Sequence, residues 1–163
     1  MKTRNLLYLT FGLVWIVAAQ NSLIAQEKPP RPMSVSALQG LNFGVFSPGT
    51  GGTVTIDTWG VRTVSPGIIS IGSISYCPAV FEIDAEPGTL VRWMGTENNV
   101  LTNGSGGSMT LSIPSSSNSA VSTVRSYGTL DRIRISIGGT LTVGATTPPG
   151  NYTGEFFISF YQE

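Results

Sequence analysis

From Leu41 onward the chain alternates apolar and polar residues in short runs, and turn residues separate the runs. Leu41, Phe43 and Val45 fall on one face of an extended segment, which Ser47-Pro48-Gly49 and Gly51-Gly52 break. Val54 and Ile56 alternate with Thr53, Thr55 and Asp57. Ser65-Pro66-Gly67 opens a denser apolar run from Ile68 to Ile74. Phe81, Ile83 and Ala85 alternate with Glu82, Asp84 and Glu86, and Pro87-Gly88 turns the chain into Leu90 to Met94. Asn103-Gly104 with Gly106-Gly107 is a hairpin signal ahead of Met109, Leu111 and Ile113. Ile133, Ile135 and Ile137 give the cleanest period of two, against Arg132, Arg134 and Ser136. Leu141 and Val143 follow Gly138-Gly139. Tyr152, Phe156, Ile158 and Phe160 line one face of a long C-terminal strand that begins after Pro148-Pro149-Gly150. No segment past the N-terminus sustains a helical period. Strand-sized runs with Pro/Gly punctuation predict an all-β, antiparallel sandwich or barrel, in which each strand faces the core on one side only. Gly51-Gly52-Thr53-Val54-Thr55-Ile56 also echoes Gly138-Gly139-Thr140-Leu141-Thr142-Val143. The echo reads as two strands entered by similar Gly-rich bends.

The first residues follow another pattern. Lys2 and Arg4 precede an apolar stretch from Leu6 to Ala19, 14 residues long. A bilayer-spanning helix needs roughly 20 apolar residues. Val17-Ala18-Ala19 fits a small-residue cleavage pattern, as does Ala25 before Gln26. The segment 1–25 is therefore predicted to be a helical, cleaved signal peptide, cut after Ala25 or alternatively after Ala19. No membrane span is expected after cleavage. Residues 26–37 form a polar leader whose Pro29, Pro30 and Pro32 disfavour helix. Residues 38–163 are predicted to be the β-domain. The expected location is extracellular or at the cell surface, with the periplasm as transit or alternative.

Composition narrows the chemistry. Nine basic residues balance nine acidic ones, charged residues make up 11%, histidine is absent, and Cys77 is the single cysteine. Without histidine there is no His-based relay and no imidazole metal ligand. One cysteine permits neither an intrachain disulfide nor a multi-cysteine metal site. Lys2 and Arg4 leave with the signal, so seven basic residues then face nine acidic ones. Nucleic-acid binding needs a concentrated basic surface, so no nucleic-acid partner is expected. No phosphate loop and no Gly-x-Ser-x-Gly elbow occurs. No catalytic residue, metal site or cofactor is expected, and the chain is not read as an enzyme.

Leu41-Asn42-Phe43-Gly44-Val45-Phe46-Ser47-Pro48-Gly49-Thr50-Gly51-Gly52-Thr53-Val54-Thr55-Ile56 resembles the opening motif of the domain of unknown function 4402 family. The closing motif is similar as well, in Gly138-Gly139-Thr140-Leu141-Thr142-Val143 and Pro149-Gly150-Asn151-Tyr152-Thr153-Gly154. The resemblance brackets about residues 38–161. It implies an exported bacterial β-domain, distantly similar to spore-coat-U and pilin-like domains of surface fibres. It implies no catalytic residues. Trp59 is a departure, since that turn is usually smaller and more polar in the family.

Candidate contact residues follow from both lines. A pilin-like subunit closes on a strand that an assembly chaperone or a neighbouring subunit can pair with. Gly150, Tyr152, Phe156, Ile158 and Phe160 are the candidate pairing edge, although Tyr161 is one place out of phase and Gln162 is penultimate. An ordinary closing strand explains the same alternation. Met33, Val35 and Ala37 alternate with Ser34 and Ser36 as a candidate donor segment, or else as a tether or a first edge strand. Trp59, in an Asp-Thr-Trp-Gly turn, is the candidate anchor for a ligand or partner such as a glycan, or packs over the end of the fold. Glu82, Asp84 and Glu86 read as a solvated face, as Ca²⁺ ligands, or as partners of Arg132 and Arg134 across strands. The role of Cys77 stays open between a buried hydrophobe and an interchain thiol.

The sequence thus points to an immunoglobulin-like or pilin-like sandwich. The expected function is a structural or surface-assembly subunit that pairs edge strands with itself, related subunits or a periplasmic chaperone. The alternative is a secreted carbohydrate-binding or adhesive module.

Overall fold

The computed structural model describes residues 31–72, 75–114, 122–123 and 132–162. The signal segment 1–25 lies outside the described residues. Among them the strands are β1 (Ser34–Gln39), β2 (Phe46–Ser47), β3 (Gly52–Ile56), β4 (Arg62–Val64), β5 (Ile69–Ser70), β6 (Ala79–Asp84) and β7 (Leu90–Gly95). They continue with β8 (Asn99–Thr102), β9 (Ser108–Ser112), β10 (Ser122–Thr123), β11 (Arg132–Ile137), β12 (Gly139–Val143) and β13 (Ile158–Gln162). The described residues contain no helix, and all strand pairs are antiparallel.

The strands form sheets of order β1-β6-β11, β10-β7-β13 and β4-β3-β12-β9-β8, with β2 paired to β5. Alternation decides which side chains go inside. Val91 and Trp93 of β7, Met109 and Leu111 of β9, Ile135 and Ile137 of β11, and Leu141 and Val143 of β12 are all buried. They meet Val54, Ile56, Ala79 and Ile83 in one core. Each fully buried aliphatic side chain contributes about 1.5–3 kcal/mol relative to an exposed one. The core therefore outweighs any single surface contact in holding the sheets together.

The two echoed segments are neighbours. Gly139 faces Ile56, Leu141 faces Val54 and Val143 faces Gly52 in the β3–β12 ladder. Thr55 Oγ1 lies 3.0 Å from Thr140 Oγ1 across the pair. The hairpin signal at Asn103 also holds. The Asn103 side-chain oxygen accepts from the backbone N–H of Ser105 and of Gly107, each at 2.9 Å, and β8 folds onto β9.

Three segments depart from the expected strands. Across Leu41–Val45, Phe43 is buried while Val45 is 40% exposed, and only Asn42 makes a bridge, to Cys77. In the dense apolar run Ile68 is buried, but Ile69 and Ile71 are exposed beside the two-residue β5. The C-terminal strand starts at Ile158, well after Gly150. In each case only part of the apolar pattern packs on the core, and backbone ladder partners are few. Conversely, β1 begins inside the segment read as a leader and crosses its boundary at residue 37.

Candidate functional site

Two chain segments cross from one sheet to another and face each other on the way. The N-terminal one runs from β1, which pairs with β6, to β2, which pairs with β5. The C-terminal one bridges Thr153 to Thr102 of β8 and then enters β13, which pairs with β7. A cleft lies between them. At one end it is a cavity of 450 Å³ between Ala37–Gly40 and Gly154–Phe157. In the middle it is a cavity of 440 Å³ floored by Cys77, Leu101 and Leu111. At the other end it is a cavity of 630 Å³ between Leu41–Pro48 and Thr147–Tyr152. Adjacent cavities share lining residues, among them Gly40, Gly154 and Phe156 at one junction and Leu41 and Tyr152 at the other. The two walls run antiparallel, since 37–40 faces 154–157 and 41–48 faces 147–152.

The backbone of each wall is half-used. Asn42 exchanges both hydrogen bonds with Cys77, at 2.9 Å each. Thr153 exchanges both with Thr102, at 2.9 and 3.0 Å. In an extended chain the neighbouring residues then point their N–H and C=O groups the opposite way. Those neighbours are Leu41 and Phe43 on one wall and Tyr152 and Gly154 on the other. None of the four makes a backbone hydrogen bond among the described residues. The cleft therefore has an apolar floor and two sides carrying unladdered backbone groups.

Within the C-terminal wall the Tyr152 hydroxyl donates to the Pro148 carbonyl at 2.7 Å. The Arg62 guanidinium lies 5.8 Å from the Phe46 ring and 5.5 Å from the Tyr76 ring, and donates to the Val45 carbonyl at 3.1 Å. These contacts tie the N-terminal wall to β4. Gly154 suits its place, because a Cβ there would sit 2.6 Å from the Val100 carbonyl oxygen.

The candidate residues distribute as follows. Tyr152, Phe156, Ile158 and Phe160 are half-buried and pack on the core, while Phe157 between them and Tyr161 after them are exposed. Gly150 lines the cleft in the loop ahead of β13. Phe160 meets Phe81 of β6 with ring centroids 5.4 Å apart. Met33, Val35 and Ala37 lie at or on β1, which forms an edge of its own chain's sheet. Leu41, Phe43 and Gly154 complete the cleft and escaped the sequence reading. Their signal is an apolar alternation interrupted by turn residues.

Trp59 lines none of these cavities. Its side chain is 89% exposed at the β3–β4 turn. Asp57 Oδ1 accepts from the backbone N–H of Trp59 at 2.9 Å and of Val61 at 2.8 Å, which holds the turn. Glu82 and Asp84 face Arg134 and Arg132 across β6 and β11. Arg132 donates to Glu82 at 3.0 Å and lies 3.5 Å from Asp84, and Arg134 reaches Glu82 at 3.3 Å. Cross-strand pairing thus accounts for Glu82 and Asp84, and the described residues hold no cluster of three metal-binding side chains. Cys77 is half-buried, with Sγ 3.6 Å from the Gly40 carbonyl.

The family described as Domain of unknown function (DUF4402) matches residues 33–160 of this chain. No curated protein and no solved structure matches it.

Proposed function

We propose, for a chain that belongs to the DUF4402 family, that it is a non-enzymatic surface-assembly subunit whose edges pair with other copies or with related subunits. The fold is read as an immunoglobulin-like, pilin-like sandwich, exported after removal of residues 1–25. A periplasmic chaperone is the expected partner in transit.

One observation carries the reading. The cleft between residues 37–48 and 147–157 presents unladdered backbone beside an apolar floor, at Leu41 and Phe43 on one side and at Tyr152 and Gly154 on the other. Backbone N–H and C=O groups need partners where they are buried, as at Phe43, and bond water where they are open. An added strand supplies such partners, with alternate side chains entering the floor. The test is self-association. Expected are ladders on unboiled gels and oligomers in size-exclusion chromatography, growing with concentration. A chain that stays monomeric at high concentration, with and without a co-expressed chaperone, sinks the reading.

A second reading rests on Trp59. Its exposure and the Asp57 clamp present an indole on a held turn, which suits stacking on a sugar ring. A glycan array should then show binding by the wild type that Trp59→Ala loses. Equal signals from both would remove this reading.

A further inference from the structure

β1 is held mainly by polar contacts. All six positions of Ser34–Gln39 are exposed, Val35 at 39% and Leu38 at 49%. Its hold consists of the ladder to β6, from Ser34 opposite Asp84 to Gln39 opposite Val80, and of the half-buried Met33 just ahead of it, which packs against the core. Arg31 adds to it, donating to Asp84 Oδ1 at 2.7 Å and to the Ala85 carbonyl at 2.8 Å. Gln39 Nε2 donates to the Pro78 carbonyl at 2.7 Å, and the Met33 N–H donates to Gln162 Oε1 at 3.1 Å. An edge ladder with no buried residue of its own belongs to the low end of local stability. The strand ends at Gln39 and is followed by Gly40, where an added Cβ would meet no atom within 4 Å. The next backbone anchor is the Asn42–Cys77 bridge. A swing about Gly40 moves β1 without unpacking any fully buried residue.

We propose that β1 exchanges between copies: residues 31–39 of one chain leave their own β6 and pair with β6 of another, in the same register. The proposal rests on the surface-assembly reading and names its partner as a second copy of this chain. The occupant is argued from the seat itself. The same segment already occupies this edge, and every contact holding it within one chain can form between two. The ladder, the Arg31 clamp and the Gln39 bond are all conserved by the exchange. The balance then falls on the hinge and on the surfaces brought together, which is why exchange of an identical element is a low-cost route to oligomers. Exposed apolar side chains stand at the hinge end, namely Leu38 and Phe157. Ala37–Gly40 also form one end of the cleft, so the exchanging strand and the unladdered walls belong to one continuous surface.

The register supplies the test. Ser36 faces Glu82. Two single-cysteine chains are made in a Cys77→Ala background, one with Ser36→Cys and one with Glu82→Cys. Mixed and oxidised, they should yield a disulfide-linked heterodimer well above the homodimer either gives alone. A third chain carries Cys77→Ala, Ser36→Cys and Glu82→Cys together and is oxidised as isolated monomer, so that β1 is locked on its own β6 before the chain is concentrated. It should then form no oligomer bands until it is reduced, whereas oxidation after assembly should place the disulfide between chains. If Glu82→Cys impairs folding, Ala37→Cys with Phe81→Cys gives a second facing pair. No heterodimer, or oligomers that persist in the locked chain, overturns the exchange while leaving edge pairing standing. A wild-type chain that never oligomerises overturns both.

Discussion

At the scale of single residues, the exposed Trp59 and the buried Trp93 make opposite demands. Trp59 has no packing partner to fix it, so its presentation depends on Asp57, which accepts two backbone hydrogen bonds in the same turn. Asp57→Ala should cost about 1 kcal/mol, the usual net worth of a lost hydrogen bond at a partly solvated site. Urea unfolding reads that loss. Steady-state anisotropy of the Trp59 indole, in a chain with the other tryptophans replaced by Phe, should fall. Asp57→Asn keeps the acceptor and should restore most of both. Trp93 is 7% exposed, and its Nε1 finds no hydrogen-bond partner among the described residues. A buried unpaired donor costs about 1–3 kcal/mol. Trp93→Phe removes that donor while keeping most of the ring, so its net cost should stay under about 1.5 kcal/mol. Trp93→Ala should cost about 3–5 kcal/mol through the cavity it leaves. Similar losses for the two variants, seen in denaturant midpoints, would mean the indole N–H is satisfied in solution.

At the scale of elements, β6 shows what pattern alone reveals. Its inward Ile83 is buried, and its outward Glu82 and Asp84 meet arginines of β11. The alternation of 81–86 and 132–137 made both faces legible, and the opposite charges suggested the pairing. The echo of Gly51–Ile56 in Gly138–Val143 was legible as two similar strands, but not as partners, because ladder neighbours are chosen by contacts distant in sequence. The same reason hid the cleft. Leu41, Phe43 and Tyr152 alternate like any half-buried strand residues, and nothing local says that one side of their backbone goes without a ladder. Only the fold, by sending Asn42 to Cys77 and Thr153 to Thr102, makes them walls. The ion pairs on β6 add less than their number suggests. The Arg132 and Arg134 side chains are 47% and 69% exposed, so solvent screens them. Glu82→Gln should cost less than about 1 kcal/mol. That cost should vanish in 1 M salt, where the screening length is about 3 Å. A loss that persists at high salt would show a structural role for Glu82 beyond charge.

At the scale of the whole molecule, stability and assembly should come apart. The core is shared by β3, β6, β7, β9, β11 and β12, and Ile137 of β11 is fully buried in it. Ile137→Ala should cost about 2–5 kcal/mol, while the fraction that stays folded keeps its edges and still associates. Phe157 has the opposite character. It is 68% exposed, at the end of the cleft beside Ala37–Gly40, and its backbone is anchored by hydrogen bonds to Thr96 that a side-chain change leaves in place. Phe157→Lys should therefore shift folding stability by no more than about 0.5 kcal/mol. An apolar junction between chains would instead have to bury an unpaired ammonium group, which is costly in any site that lacks a counter-charge. The expected result is a chain with an unchanged unfolding midpoint and no oligomer bands. Phe157→Leu, apolar and uncharged, should keep the bands. If Phe157→Lys associates like the wild type, the junction lies away from this end of the cleft. If it unfolds instead, the Phe157 ring packs on the core in solution.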